Sequence, residues 1–207
     1  MGMTETEMIG VIVLACLVTA VIVRLLVGFA QRETDLRDCG DSGLYLDTGI
    51  AQTMGNKEIQ SDRVRAERTQ AGALAVIADG IGKRNIGEVC AQIAMDTILD
   101  RYEPYTFLSE PDHFFRMSFY EANRRVQMTL ERSKGGTSLG AVFVNGTKLY
   151  YALAGNIRIA LFRGGEIIPL SKGHTLDVLA EEAWKDGKIS RQEAVWSMEE
   201  KRMWNYV

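Results

Sequence analysis

Asp79 follows directly on an apolar run, Ala73–Ala78, and directly precedes the glycine-rich turn "GIGKRN". A turn needs glycine for its backbone but does not need an acid at the last position of the strand before it. The carboxylate is therefore either a turn-former that caps the loop or a group aimed at positive charge. Other chemistry-bearing patterns close quickly. "GTSLG" (Gly136–Gly140) has the spacing of a nucleophile elbow, which requires a strand before the Ser and a helix after it; here the order is reversed. "DGIGKR" lacks the glycine at position 77 and the Ser/Thr after Lys83 that a phosphate loop demands. Cys16, Cys39 and Cys90 have no metal-ligand spacing and read as free thiols of a reducing compartment. His113 and His174 belong to no HExxH pattern, so a zinc site of the usual kind is not expected.

What remains is a series of acids and glycines in order along the chain: "GNKEIQSD" (Gly55–Asp62), "ADGIGKRNIGE" (Ala78–Glu88), "GGTS" (Gly135–Ser138), "AGNIR" (Ala154–Arg158) and "LSKGHT" (Leu170–Thr175). The series resembles the metal-dependent protein phosphatase (PPM, protein phosphatase 2C type) family. Its members carry G-x-R…(N/E)-(E/Q)-D, ADGMGG…GE, G-T-T/S, GDSR and LT-x-DHS in the same order. "DGKIS" and the "EA" that follow "GHT" extend the likeness, which covers about Gly55 to Val207. The resemblance implies two divalent cations, Mn²⁺ or Mg²⁺, sharing a bridging carboxylate and a bridging water that attacks a phosphoserine or phosphothreonine. It makes Asp79 that bridge, Asp62 the neighbouring acid on the facing strand, and Gly80 a carbonyl ligand. Asp62 and Asp79 are then the catalytic pair, Asn156 stands at a further metal-ligand station, and Lys57 stands where a phosphate-holding Arg is usual. A lysine keeps the charge but loses the bidentate fork.

The sequence also departs from the family pattern. Asn156 and Ile157 replace the Asp-Ser of GDSR; an amide can coordinate through its oxygen but brings no charge. Ser61 precedes the first Asp where Glu or Gln is usual, Lys83 replaces a glycine, and Gly173 stands where an Asp is usual. The sequence reaches Val207 where the family continues toward S-D-G and D-N-I-T strands that supply further acids. On this count Asp62 and Asp79 set −2 against the +4 of two metals. The expectation is a degenerate member, a pseudophosphatase, with an unpaired sheet edge and part of an apolar face uncovered.

Elements to position these residues are legible. Ala71–Ala78 reads as a buried strand. "GEVCAQIAMDTILDRY" (Gly87–Tyr102) reads as a helix with Val89, Cys90, Ile93, Ala94, Thr97 and Ile98 on one face. A second helix spans about Pro111–Ser133 and stops at "KGG". Asn145-Gly146 and Arg163-Gly164-Gly165 each mark a hairpin, so four strands between Ser138 and Ser171 are expected to form one antiparallel meander. Helices at about Leu176–Trp184 and from Arg191 close the domain. The fold class is α+β: a partial phosphatase-2C-like antiparallel β-sandwich flanked by helices, preceded by one transmembrane helix.

That anchor is Met8–Val23, sixteen residues without a charge, followed by Arg24 and "LLVGFA". Through Ala30 the run would make roughly 35 Å of helix, enough for the hydrocarbon layer. A cleaved signal peptide would want a basic lead-in, whereas Glu5 and Glu7 precede this run and no Lys or Arg does. Arg24, Arg32 and Arg37 all lie on its C-terminal side, which places the rest of the chain in the cytoplasm. The expected organisation is an anchor over 1–30, a juxtamembrane linker over 31–54 and the phosphatase-like domain over 55–207. A net charge of −3 gives no support to nucleic-acid binding. Three functional readings follow: a membrane-tethered binding or regulatory module for a phosphoprotein or signalling partner; a working phosphoprotein phosphatase whose missing acids come from a partner chain that completes the sandwich, or from other residues; and a purely structural membrane protein.

Overall fold

A computed structural model of the chain describes residues 46–54, 58–69, 71–131, 133–198 and 202–207. The expected anchor, Lys57 and most of the expected linker lie outside the described residues. Among the described residues, no helix is long and apolar enough to cross a membrane.

Four strands form one antiparallel sheet in sequential order: β1 (Asp62–Thr69), β2 (Gly72–Gly82), β3 (Gly135–Asn145) and β4 (Lys148–Ala154). The alternation of β2 explains the sheet's two faces. Leu74, Val76 and Ala78 are buried, while Ala75, Ile77 and Asp79 point the other way and are exposed. Pairing carries each set across the sheet, with Leu74 opposite Phe143, Val76 opposite Ala141 and Ala78 opposite Leu139 on the buried face.

That face is covered by α1 (Ile86–Arg101), on which α3 (Pro111–Leu130) packs in turn; a single short turn of helix, α2 (Pro104–Ser109), links them. The side of α1 that meets the sheet differs slightly from the one its period suggests. Gly87, Cys90, Ala91, Ala94, Met95 and Ile98 are buried, whereas Val89 is exposed. Small residues win that face because they let the helix axis sit close to β2 and β3. At the far end Phe107, fully buried, lies 4.4 Å from the Phe143 ring and 5.1 Å from Phe114, edge-on to the latter. Such contacts add about 0.5–1.5 kcal/mol each beyond the apolar area removed from water.

The expected four-strand meander is corrected. β5 (Ala160–Arg163) and β6 (Glu166–Pro169) pair only with each other, in a separate two-stranded sheet. The break comes after β4, where the loop from Gly155 to Ile159 turns away. Leu170 N–H returns to the Ile159 carbonyl at 2.8 Å, and the Tyr151 hydroxyl donates to the Leu170 carbonyl at 2.7 Å. α4 (Leu176–Lys185) and α5 (Arg191–Met198) then form a helical pair. The segment Arg202–Val207 runs back to the sheet. Val207 and Thr137 exchange both backbone hydrogen bonds, at 2.7 and 3.0 Å, on the stretch of β3 that β4 leaves free. This part of the edge, expected to be open, is therefore engaged.

Candidate functional site

Asp62 opens β1 and Asp79 lies near the end of β2, and the register sets them directly opposite each other. Cross-strand partners share a face, and alternation puts this pair on the face away from the helices. Two carboxylates placed this way repel unless a cation or donor groups lie between them. The two acids border a groove of about 400 Å³ whose other polar side chains include Gln52 and Asn156, and whose apolar walls include Ile77 and Ile157. The structure thus brings three of the expected site residues, Asp62, Asp79 and Asn156, to one groove.

Glycine decides the geometry at the turn. A Cβ on Gly80 would overlap the backbone of Gly87 in α1 and come within 2.7 Å of the Ser61 carbonyl oxygen. Gly80 is therefore the point where β1, β2 and the start of α1 converge, with its own N–H donating to Ser61 O at 3.3 Å. Arg63, next to Asp62, faces the helix side instead, donating to Gln92 at 2.9 Å and pairing with Glu88. Its guanidinium ties β1 to α1, and the residue also lines the groove beside Asp62.

Several residues of the site were not singled out by sequence reasoning. Gln52, inside the stretch expected to be linker, donates through Nε2 to the Asp62 carbonyl at 2.7 Å, and Gln60 donates to Thr53 O at 3.0 Å. Arg68 likewise reaches Leu46 O at 2.6 Å, so residues 46–54 are laid along β1. The "DTGIAQ" stretch (47–52) has no hydrophobic period, which is why only tertiary contacts reveal its place. Thr137 is fully buried, and its hydroxyl lies 3.0 Å from the Asp79 carbonyl, which fixes the strand position that presents the acid.

Ser138, opposite Asp79, is buried; its Oγ accepts from the Asn156 N–H at 3.1 Å and donates to Met203 Sδ at 3.3 Å. Cys90 lies on the helix side; burial is the largest influence on its thiol and pushes its pKa up, away from the reactive thiolate. Among the described residues no group of three or more His, Cys, Asp and Glu comes together. Two carboxylates and neutral amides do not fit a centre for two divalent cations, which such sites surround with several anionic oxygens.

Comparison with known proteins places this geometry. The sequence model of the protein phosphatase 2C family matches residues 47–183. The serine/threonine protein phosphatase PstP of Mycobacterium tuberculosis is 31% identical over 144 residues, covering 65% of this chain and 27% of that protein. The serine/threonine phosphatase Stp of Listeria welshimeri is 24% identical over 129 residues, 59% of this chain and 50% of the other. The chain thus spans half or less of the length of these relatives. Among solved structures, the PPM Ser-Thr phosphatase MsPP of Mycobacterium smegmatis aligns with a TM-score of 0.54 at 25% identity, over 73% of this chain and 62% of the other. The S. agalactiae serine/threonine phosphatase aligns with a TM-score of 0.57 at 24% identity, over 68% and 59%.

Proposed function

The chain belongs to the protein phosphatase 2C family, and from that membership we propose that it is a phosphatase-like protein with a depleted metal centre, working as a binding or regulatory module. The observation that carries this reading is the make-up of the groove. Asp62 and Asp79 face each other as the family chemistry needs, but the neighbouring station holds the amide of Asn156, and Gln52 adds a second neutral amide. A groove of this kind keeps a shape for a phosphoprotein or signalling partner while lacking the charge to hold two Mn²⁺ or Mg²⁺ ions. Residues 8–30 supply a single-pass anchor with the domain on the cytoplasmic side, the placement that the apolar run and its flanking arginines support.

The retained Asp pair favours one rival, an active Mn²⁺- or Mg²⁺-dependent phosphatase completed by acids from elsewhere. The two are separated by Mn²⁺-dependent hydrolysis of a phosphothreonine peptide, with Asp79→Asn as control. We expect no turnover above that control from folded protein. Turnover that Asp79→Asn abolishes would establish the enzyme and discard the binding-module reading.

A further inference from the structure

A second hollow opens on the face of the sheet that carries Asp62 and Asp79. Leu153 of β4 lies opposite Gly140, and Gly140 lies opposite Ile77, so Leu153 and the groove share that face. The hollow measures about 400 Å³, the size of a small-molecule pocket. Leu153, Leu170 and, from α4, Val178 and Leu179 give it an apolar lining, and Trp204 adds an aromatic wall. Lys172, His174 and Glu182 supply charged and polar groups.

His174 is fixed at both backbone and ring. Its N–H donates to Gly155 O at 2.8 Å, its carbonyl accepts from Trp204 N–H at 3.1 Å, and its ring centre lies 5.1 Å from that of Trp204. Gly155 N–H approaches His174 Nδ1 at 3.4 Å, and the Asn205 amide nitrogen lies 3.1 Å from the same atom. A backbone N–H can only donate, so Nδ1 accepts and the neutral ring carries its proton on Nε2. Both ring bonds use Nδ1, which leaves Nε2–H as a donor. Lys172 Nζ meets Glu182 at 3.1 Å, with both side chains half-exposed. An exposed pair of this kind holds weakly, and it occupies one of the three donors of the ammonium. Donors on His174 and Lys172, set against one carboxylate that is already paired, favour an anion over a cation.

We propose that this hollow is a binding site for a planar aromatic carboxylate. The ring of the ligand stacks on Trp204 among the leucines, and its carboxylate accepts from His174 Nε2 and Lys172 Nζ. The site is independent of whether the Asp62–Asp79 groove holds metal.

The experiment titrates the full-length chain by calorimetry with 2-naphthoate and with 2-naphthalenemethanol, which keeps the ring and drops the charge. The native protein should bind the carboxylate saturably and the alcohol at least about fivefold more weakly, since a charge-assisted hydrogen bond is lost. Lys172→Met should weaken carboxylate binding about threefold, as for an exposed charge pair. Trp204→Ala and His174→Phe should each weaken it about fivefold, the first by removing the stacking wall and the second by keeping a ring without the donor. Phe162→Ser with Ile167→Ser, on the exposed hairpin, should leave the affinity unchanged. No saturable binding to folded native protein overturns the proposal, and so does equal affinity for the carboxylate and the alcohol. Loss of binding in the hairpin variant also overturns it, by placing the ligand there. Should Trp204→Ala not fold, as its thermal midpoint reports, native affinity in both Lys172→Met and His174→Phe overturns the proposal.

Discussion

Gly80 sets the shape of the candidate site through backbone packing. Its hydrogen is all that fits between β2 and the Gly87 backbone, so any side chain forces the helix start away from the strands that carry Asp62 and Asp79. Gly80→Ala should therefore destabilise the fold by about 1–3 kcal/mol, the usual cost of forcing extra volume into a packed site. Urea unfolding checks this, with a shifted midpoint at unchanged slope as the expected result. A midpoint equal to that of the native protein would mean that the layers yield there. The acids themselves contribute by position: Thr137 and Ser138 fix the Asp79 backbone from the β3 side, and Gln52 holds that of Asp62 from the β1 side.

At the scale of elements, the aromatic end of the sheet ties α2 and α3 to β3 and β4 through Phe107, which meets Phe143, Phe114, Phe115 and Tyr150. Phe107→Ala should cost about 3–5 kcal/mol, the range for emptying a buried phenylalanine site; equilibrium denaturation measures it, and a loss under about 1 kcal/mol would mean that the cluster collapses freely. α3 carries an electrostatic signature as well. Hydrogen bonds from Arg124 and then Arg125 hold the Glu121 carboxyl down to about 2. A carboxyl depressed in the folded state stabilises above its ordinary value and loses that contribution as pH falls toward the folded one. Between pH 4.5 and 2, then, the thermal midpoint of the native protein should fall more steeply than that of Glu121→Gln. Parallel curves would show that this exposed cluster contributes nothing measurable.

Over the whole molecule, the β5–β6 hairpin carries the most exposed apolar pair of the described residues: Phe162 and Ile167, opposite each other, are 71% and 73% exposed. Large exposed apolar side chains set side by side make a sticky surface. Phe162→Ser with Ile167→Ser should lower the binding of an apolar fluorescent dye while changing stability by no more than about 0.5 kcal/mol, as for surface positions. Unchanged dye binding would locate the sticky surface elsewhere.

The sequence by itself determined the family, the order of the stations and most elements. These depend on local signals: the 3.6 period of Ile86–Arg101, the alternation of β2, the Asn145-Gly146 turn and the glycine after Asp79. Motif order also set Asp62, Asp79 and Asn156 at stations that the fold brings to one groove, since such order carries across long loops. Only the tertiary structure decided that residues 46–54 lie along β1, that β5 and β6 leave the main sheet, and that Val207 pairs with Thr137. These features depend on hydrogen bonds between residues far apart in sequence, and such bonds leave no periodic trace. The hydrogen bonds between Gly155 and His174 are of the same kind: two positions nineteen apart in the chain become neighbours, with the whole β5–β6 hairpin between them.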